Sequence, residues 1–305
     1  MITLGEGNTP LIWGEALGRR VAFKCEYQNP TGSFKDRGSA TLVSYLASRG
    51  ISMAVEDSSG NAGASFAAYA ARAAIRARVY VPETASGPKR KQIEAYGAEV
   101  VAVPGPREKA TESVQRAVEA GMVYASHACM PFNLAGYATI AYEMVEQLGG
   151  APGVLICPVG QGGFLLGAAR GFNALLVAGI ITHLPKLIGV QVRACAPLHW
   201  RYMNEPPVPE YPGKASTLAE GIRVLQPVRA EAVVQAVFTS KGNTVVVDEV
   251  DILPGRDELA HRGFYVETTS AIVWGAMTQL FAEDSIYQIP EPIVVVLTGS
   301  GLKTA

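Results

Sequence analysis

The chain has little of what marks a secreted, metal-binding or nucleic-acid-binding protein. Its 305 residues hold four cysteines, Cys25, Cys129, Cys157 and Cys195, too far apart for metal-ligand spacing. They suggest no disulfide framework, and a reducing, cytoplasmic compartment is the expectation. Four histidines, His127, His183, His199 and His261, are equally scattered, and each reads as structural. Charged residues make up 17% of the chain and the net charge is −1, with no basic block. Neither nucleic acid nor an anionic membrane surface is therefore an expected partner. No apolar run approaches the roughly 20 residues of a membrane span. The opening Met1-Ile2-Thr3-Leu4-Gly5-Glu6 has neither a charged start nor an apolar core, so no signal peptide is visible. What the chain does have is apolar residues, at 49%, enough for a large core and for two domains at this length.

Extended and helical patterns alternate. Short apolar runs at 53–56, 77–81, 99–103 and 122–125 read as strands, separated by helical stretches at 61–75, 88–96 and 108–120. The second half repeats the theme, with strands at 154–158, 187–192, 245–247 and 293–297 and helices at 164–177, 230–237, 258–262 and 270–281. This order predicts α/β architecture: two doubly wound units with mostly parallel sheets. The Pro-rich stretch 205–212 reads as a surface loop.

Within this frame one lysine stands out. Asn29-Pro30-Thr31-Gly32-Ser33-Phe34-Lys35-Asp36-Arg37-Gly38 is a turn-forming stretch that delivers Lys35 where a helical pattern begins. A lysine is nucleophilic only when neutral, which a desolvated pocket favours. The alternative is a solvated charge cluster, Lys35-Asp36-Arg37, at a helix start.

Three junctions carry further chemistry. Ser58-Ser59-Gly60-Asn61-Ala62-Gly63 lies between a strand and an Ala-rich helix, where small residues and unpaired N–H groups suit an anion. It also reads as a plain helix cap. Gly160-Gln161-Gly162-Gly163 joins a strand to the helix from Phe164 and suits a phosphate. No Gly-Lys-Ser/Thr follows, so it is not a Walker loop. It departs from the dinucleotide fingerprint too, with Leu165 where Gly or Ala belongs and no acid in residues 164–203 to hold a ribose. A cofactor with a single phosphate fits better, and a tight packing turn is the alternative. Finally, a buried strand ends at Thr298-Gly299-Ser300-Gly301, placing a hydroxyl where open α/β sheets bind ligands.

Together these segments carry a resemblance. The chain resembles the fold-type II pyridoxal-phosphate enzymes, the tryptophan synthase β family, and among them the threonine synthases. Leu4-Gly5-Glu6-Gly7-Asn8-Thr9-Pro10-Leu11 is similar to their opening, residues 29–38 to their cofactor-lysine motif and residues 58–65 to their substrate loop. Residues 135–148, the glycine turn, 267–271 and 298–303 continue the match in order. The resemblance implies pyridoxal 5'-phosphate as cofactor and a small amino acid as substrate. Lys35 would hold the cofactor as a Schiff base and then move protons. Asn61 would hydrogen-bond its ring oxygen, and Ser59, Gly60, Asn61 and Ala62 would take the substrate carboxylate. Gly160, Gln161, Gly162 and Gly163 would hold the cofactor phosphate, and Thr298 the ring nitrogen. It also implies a large domain of residues 1–38 plus 139–305, a small mobile domain of 39–138 inserted in it, an active site in the interdomain cleft, and a homodimer.

Departures from the family pattern bear on the substrate. Threonine synthases commonly have Asn-Thr-Ser where this chain has Asn61-Ala62-Gly63, and Gly-Asn-Ala-Gly-Asn where it has Gly160-Gln161-Gly162-Gly163-Phe164. The missing polar groups help hold a phosphorylated substrate. Thr217-Leu218-Ala219-Glu220-Gly221-Ile222 is similar to a stretch of the serine/threonine dehydratases, which would turn Glu220 to the substrate; a solvated surface acid is the alternative. Conversion of O-phosphohomoserine to threonine is the leading expectation. Hydroxy-amino-acid dehydration, β-replacement of the cysteine synthase kind, and a cofactor-binding regulatory protein with little turnover are the alternatives.

Overall fold

The computed structural model describes residues 1–85, 87–206, 216–282 and 288–303. In chain order these form β1 (Leu11–Ala16), β2 (Arg19–Lys24), α1 (Lys35–Ser48), β3 (Met53–Glu56), α2 (Asn61–Arg72), β4 (Arg76–Pro82), α3 (Pro88–Ala95), β5 (Glu99–Val103), α4 (Arg107–Glu119) and β6 (Val123–Tyr124). There follow α5 (Asn133–Leu148), β7 (Val154–Pro158), α6 (Gly163–Val177), β8 (Lys186–Val192), α7 (Pro197–Met203), α8 (Ala230–Thr239), β9 (Asn243–Val247), α9 (Ile252–His261), α10 (Thr268–Leu280) and β10 (Ile293–Val296). Contacts group Met1–Glu6, Gln28–Gly136 and Lys303 into one unit, and Gly7–Tyr27 with Tyr137–Leu302 into the other. Residues 28–38 thus pack with the inserted segment, whereas the expected division grouped them with residues 139–305.

The inserted unit holds a four-stranded sheet in the order β5-β4-β3-β6, parallel throughout. Helix α2 is almost entirely buried from Ala62 to Ala70, and its alanines let it lie close to its neighbours in a core that includes Leu42, Leu46, Phe66, Tyr69 and Val79.

The second unit holds a six-stranded sheet in the order β1-β2-β10-β7-β8-β9. All neighbours are parallel except the hairpin β1–β2. Strands β7 and β10 are buried along their whole length, as central strands covered on both faces must be. Their continuous Val and Ile runs make them legible in the sequence. The hairpin was not foreseen. β1 buries only Ala16 and shows no clean alternation, and its two-residue turn uses Leu17 (φ 52°) and Gly18 (φ 73°), without the Asn-Gly signal such turns favour. Helix α9 begins earlier than the expected 258–262 because Pro254 falls in its first turn, where proline is tolerated. The Pro-rich stretch 205–212 lies, from residue 207, outside the described residues.

Among the described residues no helix is long and apolar enough to cross a membrane, and no cluster of His, Cys, Asp and Glu could hold a metal. None of the four cysteines is joined in a disulfide among the described residues.

The hairpin is locked to α5 by a buried ionic knot. Lys24 is fully buried, and its Nζ donates to Thr9 O (2.6 Å), to Gln147 Oε1 (2.9 Å) and to Glu143 Oε1. Removing one partner of such a pair strands the other charge. Lys24→Met should lower stability by about 3 kcal/mol in urea unfolding, and Lys24→Met/Glu143→Gln should recover part of it. An unchanged midpoint for the single variant would contradict this role.

Candidate active site

In the inserted unit, a turn and a buried acid fix the start of α1. Gly32 (φ 83°) turns the chain after Pro30, and its N–H donates 2.8 Å to Asn29 O. Lys35 is the first residue of α1 and is half-buried, with its Nζ 4.7 Å from the centre of the Phe34 ring. Asp36 beside it is fully buried. Asp36 accepts from Thr31 N (2.6 Å), Thr31 Oγ1 (2.6 Å) and Ser65 Oγ (2.6 Å). Burial pushes the Asp36 carboxyl above its ordinary value, and these hydrogen bonds and the Lys303 charge oppose that rise. Lys303 Nζ also donates to Thr31 O at 2.7 Å. The lysine stretch is therefore no solvated charge cluster: of Lys35-Asp36-Arg37, the second and third residues are buried.

Ser65 lies on α2, so Asp36 ties the lysine turn to the helix that opens at the second motif. That helix begins at Asn61 after Gly60, and no side chain caps it. The plain-cap reading of Ser58, Ser59 and Asn61 finds no side-chain cap bond to α2 here; Ser58 Oγ instead accepts from the Gly60 N–H just before it (3.3 Å). Ser59, Gly60 and Asn61 are half-buried and Ala62 is buried. Gly63 is obligatory, since a Cβ there would lie 1.9 Å from Ser58 O.

Two acids at the end of β3 hold this loop from below. Glu56 is fully buried, accepts from the Ser58 N–H, and lies 2.6 Å from His127 Nδ1. Asp57 accepts from Thr111 Oγ1 (2.7 Å) and Tyr124 OH (2.8 Å), and Arg107 Nη1 donates to its carbonyl (2.9 Å). Sequence reasoning passed over Glu56. The available signal was an acid ending an apolar strand just before a glycine-rich loop.

In the second unit, the remaining candidates gather at the carboxyl ends of neighbouring strands. β7 and β10 pair in parallel, with Ile293 opposite Val154 and Val295 opposite Ile156. Gly160–Gly163 follow β7, and Thr298 follows β10. Gly162 is left-handed (φ 77°), caps α6 without a side-chain bond, and could not carry a Cβ, which would meet Val233 Cγ2 at 2.4 Å. A Cβ at Gly160 would lie 3.0 Å from Ile222 Cα. The glycine turn is thus a packing necessity, and no side chain caps the helix that follows it. The Gln161 side chain is committed elsewhere, its Oε1 accepting from Val228 N (3.1 Å). Glu220 is exposed and opens a 3-10 turn, Glu220–Ile222, that packs against Gly160 and against Thr269, whose Oγ1 accepts from Gly221 N (3.0 Å). Thr298 is buried, with its hydroxyl 2.8 Å from Ser270 Oγ. A Cβ at Gly299 would lie 2.2 Å from Glu267 Oε1, so that carboxylate sits directly on the glycine.

The second unit thus offers an uncapped helix start and a buried hydroxyl on adjacent strand ends, a donor set that fits a phosphorylated heteroaromatic cofactor. Comparison with known proteins agrees. Residues 2–299 match the family described as pyridoxal-phosphate dependent enzyme, and the chain belongs to it. Its fold is the fold-type II architecture and its cofactor is pyridoxal 5'-phosphate.

The particular relatives narrow this. The chain is similar to the threonine synthase of Methanocaldococcus jannaschii, 34% identical over 99% of this chain and 76% of the relative. It is also 34% identical to the threonine synthase of Halalkalibacterium halodurans, over 99% and 84%. Among solved structures, maize serine racemase superposes with a TM-score of 0.83 at 22% identity, over 96% of this chain and 88% of that one, a likeness of fold. A T.th. threonine deaminase gives 0.79 at 27%, over 96% and 92%.

The Glu56 network has a pH signature. Burial alone would raise the Glu56 carboxyl, but the charges of His127 and Arg107 and the His127 hydrogen bonds outweigh it and hold it below its ordinary 4.5. Its stabilisation is therefore complete above pH 4.5 and disappears as pH falls through the folded value. Glu56→Gln should cost about 3 kcal/mol at pH 7 and make the acid limb of thermal stability shallower. An acid limb as steep as that of the unmodified protein would contradict the assignment.

Proposed function

We propose that this enzyme catalyses elimination and replacement at a small amino acid, with O-phosphohomoserine to threonine as the leading reaction. The observation that carries the reading is the uncapped glycine turn beside the buried Thr298 hydroxyl, in a chain similar to threonine synthases along almost its whole length. When bound, the cofactor supplies the electron sink; the chain supplies orientation and proton movement. Lys35 would hold the cofactor through its amine and would move a proton at the substrate Cα. Asn61 hydrogen-bonds the cofactor ring oxygen. Ser59 to Ala62 take the substrate carboxylate at the start of α2, where the helix dipole favours an anion. The backbone N–H groups of Gly160, Gln161, Gly162 and Gly163 hold the phosphate, and Thr298 meets the ring nitrogen. Glu220 lines the substrate side of the same turn. A homodimer and a cytoplasmic location belong to the same proposal.

One observation favours a second reading. The close approach of Gly63 to Ser58 O leaves no space for the serine that threonine synthases commonly have at that point. A loop that has lost this polar group suits substrates without a phosphate, and hence dehydration of serine or threonine, or β-replacement.

Purified enzyme with cofactor should be assayed against O-phosphohomoserine, threonine, serine and O-acetylserine. Threonine with phosphate from the first supports the leading reaction. An oxoacid from the second or third, or acetate from the fourth, selects the second reading. A cofactor absorption band that ignores all four would reject both and leave a binding role. Lys35→Ala should abolish the covalent link and lower turnover by at least about 10³-fold; a variant that kept the visible band would overturn the assignment of Lys35.

A further inference from the structure

The hydrogen bonds around the start of α10 determine where one proton points. Ser270 is fully buried and faces the turn that follows β10. Its Oγ accepts from Thr298 N at 2.9 Å and from Gly299 N at 2.9 Å. It also lies 2.8 Å from Thr298 Oγ1. A hydroxyl has two lone pairs and one proton. Both lone pairs of Ser270 are committed to the backbone, so only its proton remains to bridge to Thr298. The other acceptor in reach, Gly299 O, is 3.4 Å away and already accepts from Glu267 N. Ser270 is therefore the donor and Thr298 the acceptor.

The consequence falls on Thr298. Its own proton must point away from Ser270, and among the described residues its hydroxyl has no other partner. A buried donor without an acceptor is unfavourable, so this proton is aimed at a ligand acceptor. A ring nitrogen that carried a proton would meet a second donor and leave the Thr298 proton stranded.

We propose that Ser270 is a positioning residue that sets the Thr298 hydroxyl as a donor to the ring nitrogen and so keeps that nitrogen an unprotonated acceptor. The proposal rests on the reading that Thr298 faces the cofactor ring. It adds that Thr298 does not act alone: its polarity is set from behind, by a hydroxyl that never touches the cofactor.

The test is a double-mutant cycle on the holoenzyme, read by cofactor dissociation constant and by the ¹⁵N resonance of ring-labelled pyridoxal 5'-phosphate. The four proteins are the unmodified enzyme, Ser270→Ala, Thr298→Val and the double variant. Ser270→Ala should weaken cofactor binding about tenfold when Thr298 is intact and less than about twofold when Thr298 is already replaced. It should also shift the ring-nitrogen resonance, while Ser270→Thr, which keeps the hydroxyl, should leave that resonance unchanged. Equal losses in both backgrounds, with an unmoved resonance, would show that Ser270 merely supports the backbone and would overturn the proposal. If Ser270→Ala does not fold, Ser270→Cys carries the same comparison with a weak S–H donor. Should Thr298→Val alter neither affinity nor resonance, the placement of Thr298 itself fails, an outcome distinct from failure of the Ser270 role.

Discussion

The carboxylate of Asp36 is the constraint on which the inserted unit's chemistry depends. It is fully buried, where an ionised group is costly, and it is retained because three donors from two separate segments converge on it. Two of these donors come from Thr31 in the turn before Lys35, and the third from Ser65 on α2. The Thr31 carbonyl is held in turn by Lys303 and Gln92. Lys35 is therefore not on a loose loop: its backbone is set by an acid one residue away, and that acid is bonded to the helix whose start is proposed to meet the substrate. A site whose supporting groups are all hydrogen-bonded in this way keeps its geometry without help from the ligand.

The second unit uses a different device for the same end. Its sheet brings the loops after β7 and β10 together because those strands are neighbours in a parallel sheet, buried along their whole length. Glycine is then required at the turn by conformation at Gly162 and by close approach at Gly160. Ser270 closes the second loop by bonding two backbone N–H groups and one hydroxyl. Each unit thus presents a helix start without a side-chain cap, and each has a buried polar residue that fixes the neighbouring loop.

How much of this was legible in the sequence depends on range. The strands β3, β5 and β7 were read to the residue, since short mostly apolar runs bounded by turn residues leave few alternatives. The Ser58–Gly63 loop, the glycine turn and Thr298 stood out because each lies where an extended pattern ends, and Lys35 because a turn-forming stretch delivers it where a helical pattern begins. The pairs that hold them did not. Asp36 and Ser65 are 29 positions apart, Ser270 and Thr298 are 28 apart, and Glu56 and His127 are 71 apart. No local pattern marks such partners, because a buried acid and a surface acid look alike until the fold supplies the donors. The edge hairpin was missed for a related reason: its stability comes from pairing with β10 and from the Lys24 knot, not from its own alternation.

The central claim is that Lys35 carries the cofactor. The most direct test is borohydride reduction of the cofactor-loaded protein followed by peptide mass spectrometry, which fixes the label on whichever lysine holds it. The account predicts a single labelled peptide, the one containing Lys35. A label on any other lysine, or none after reduction, would contradict it.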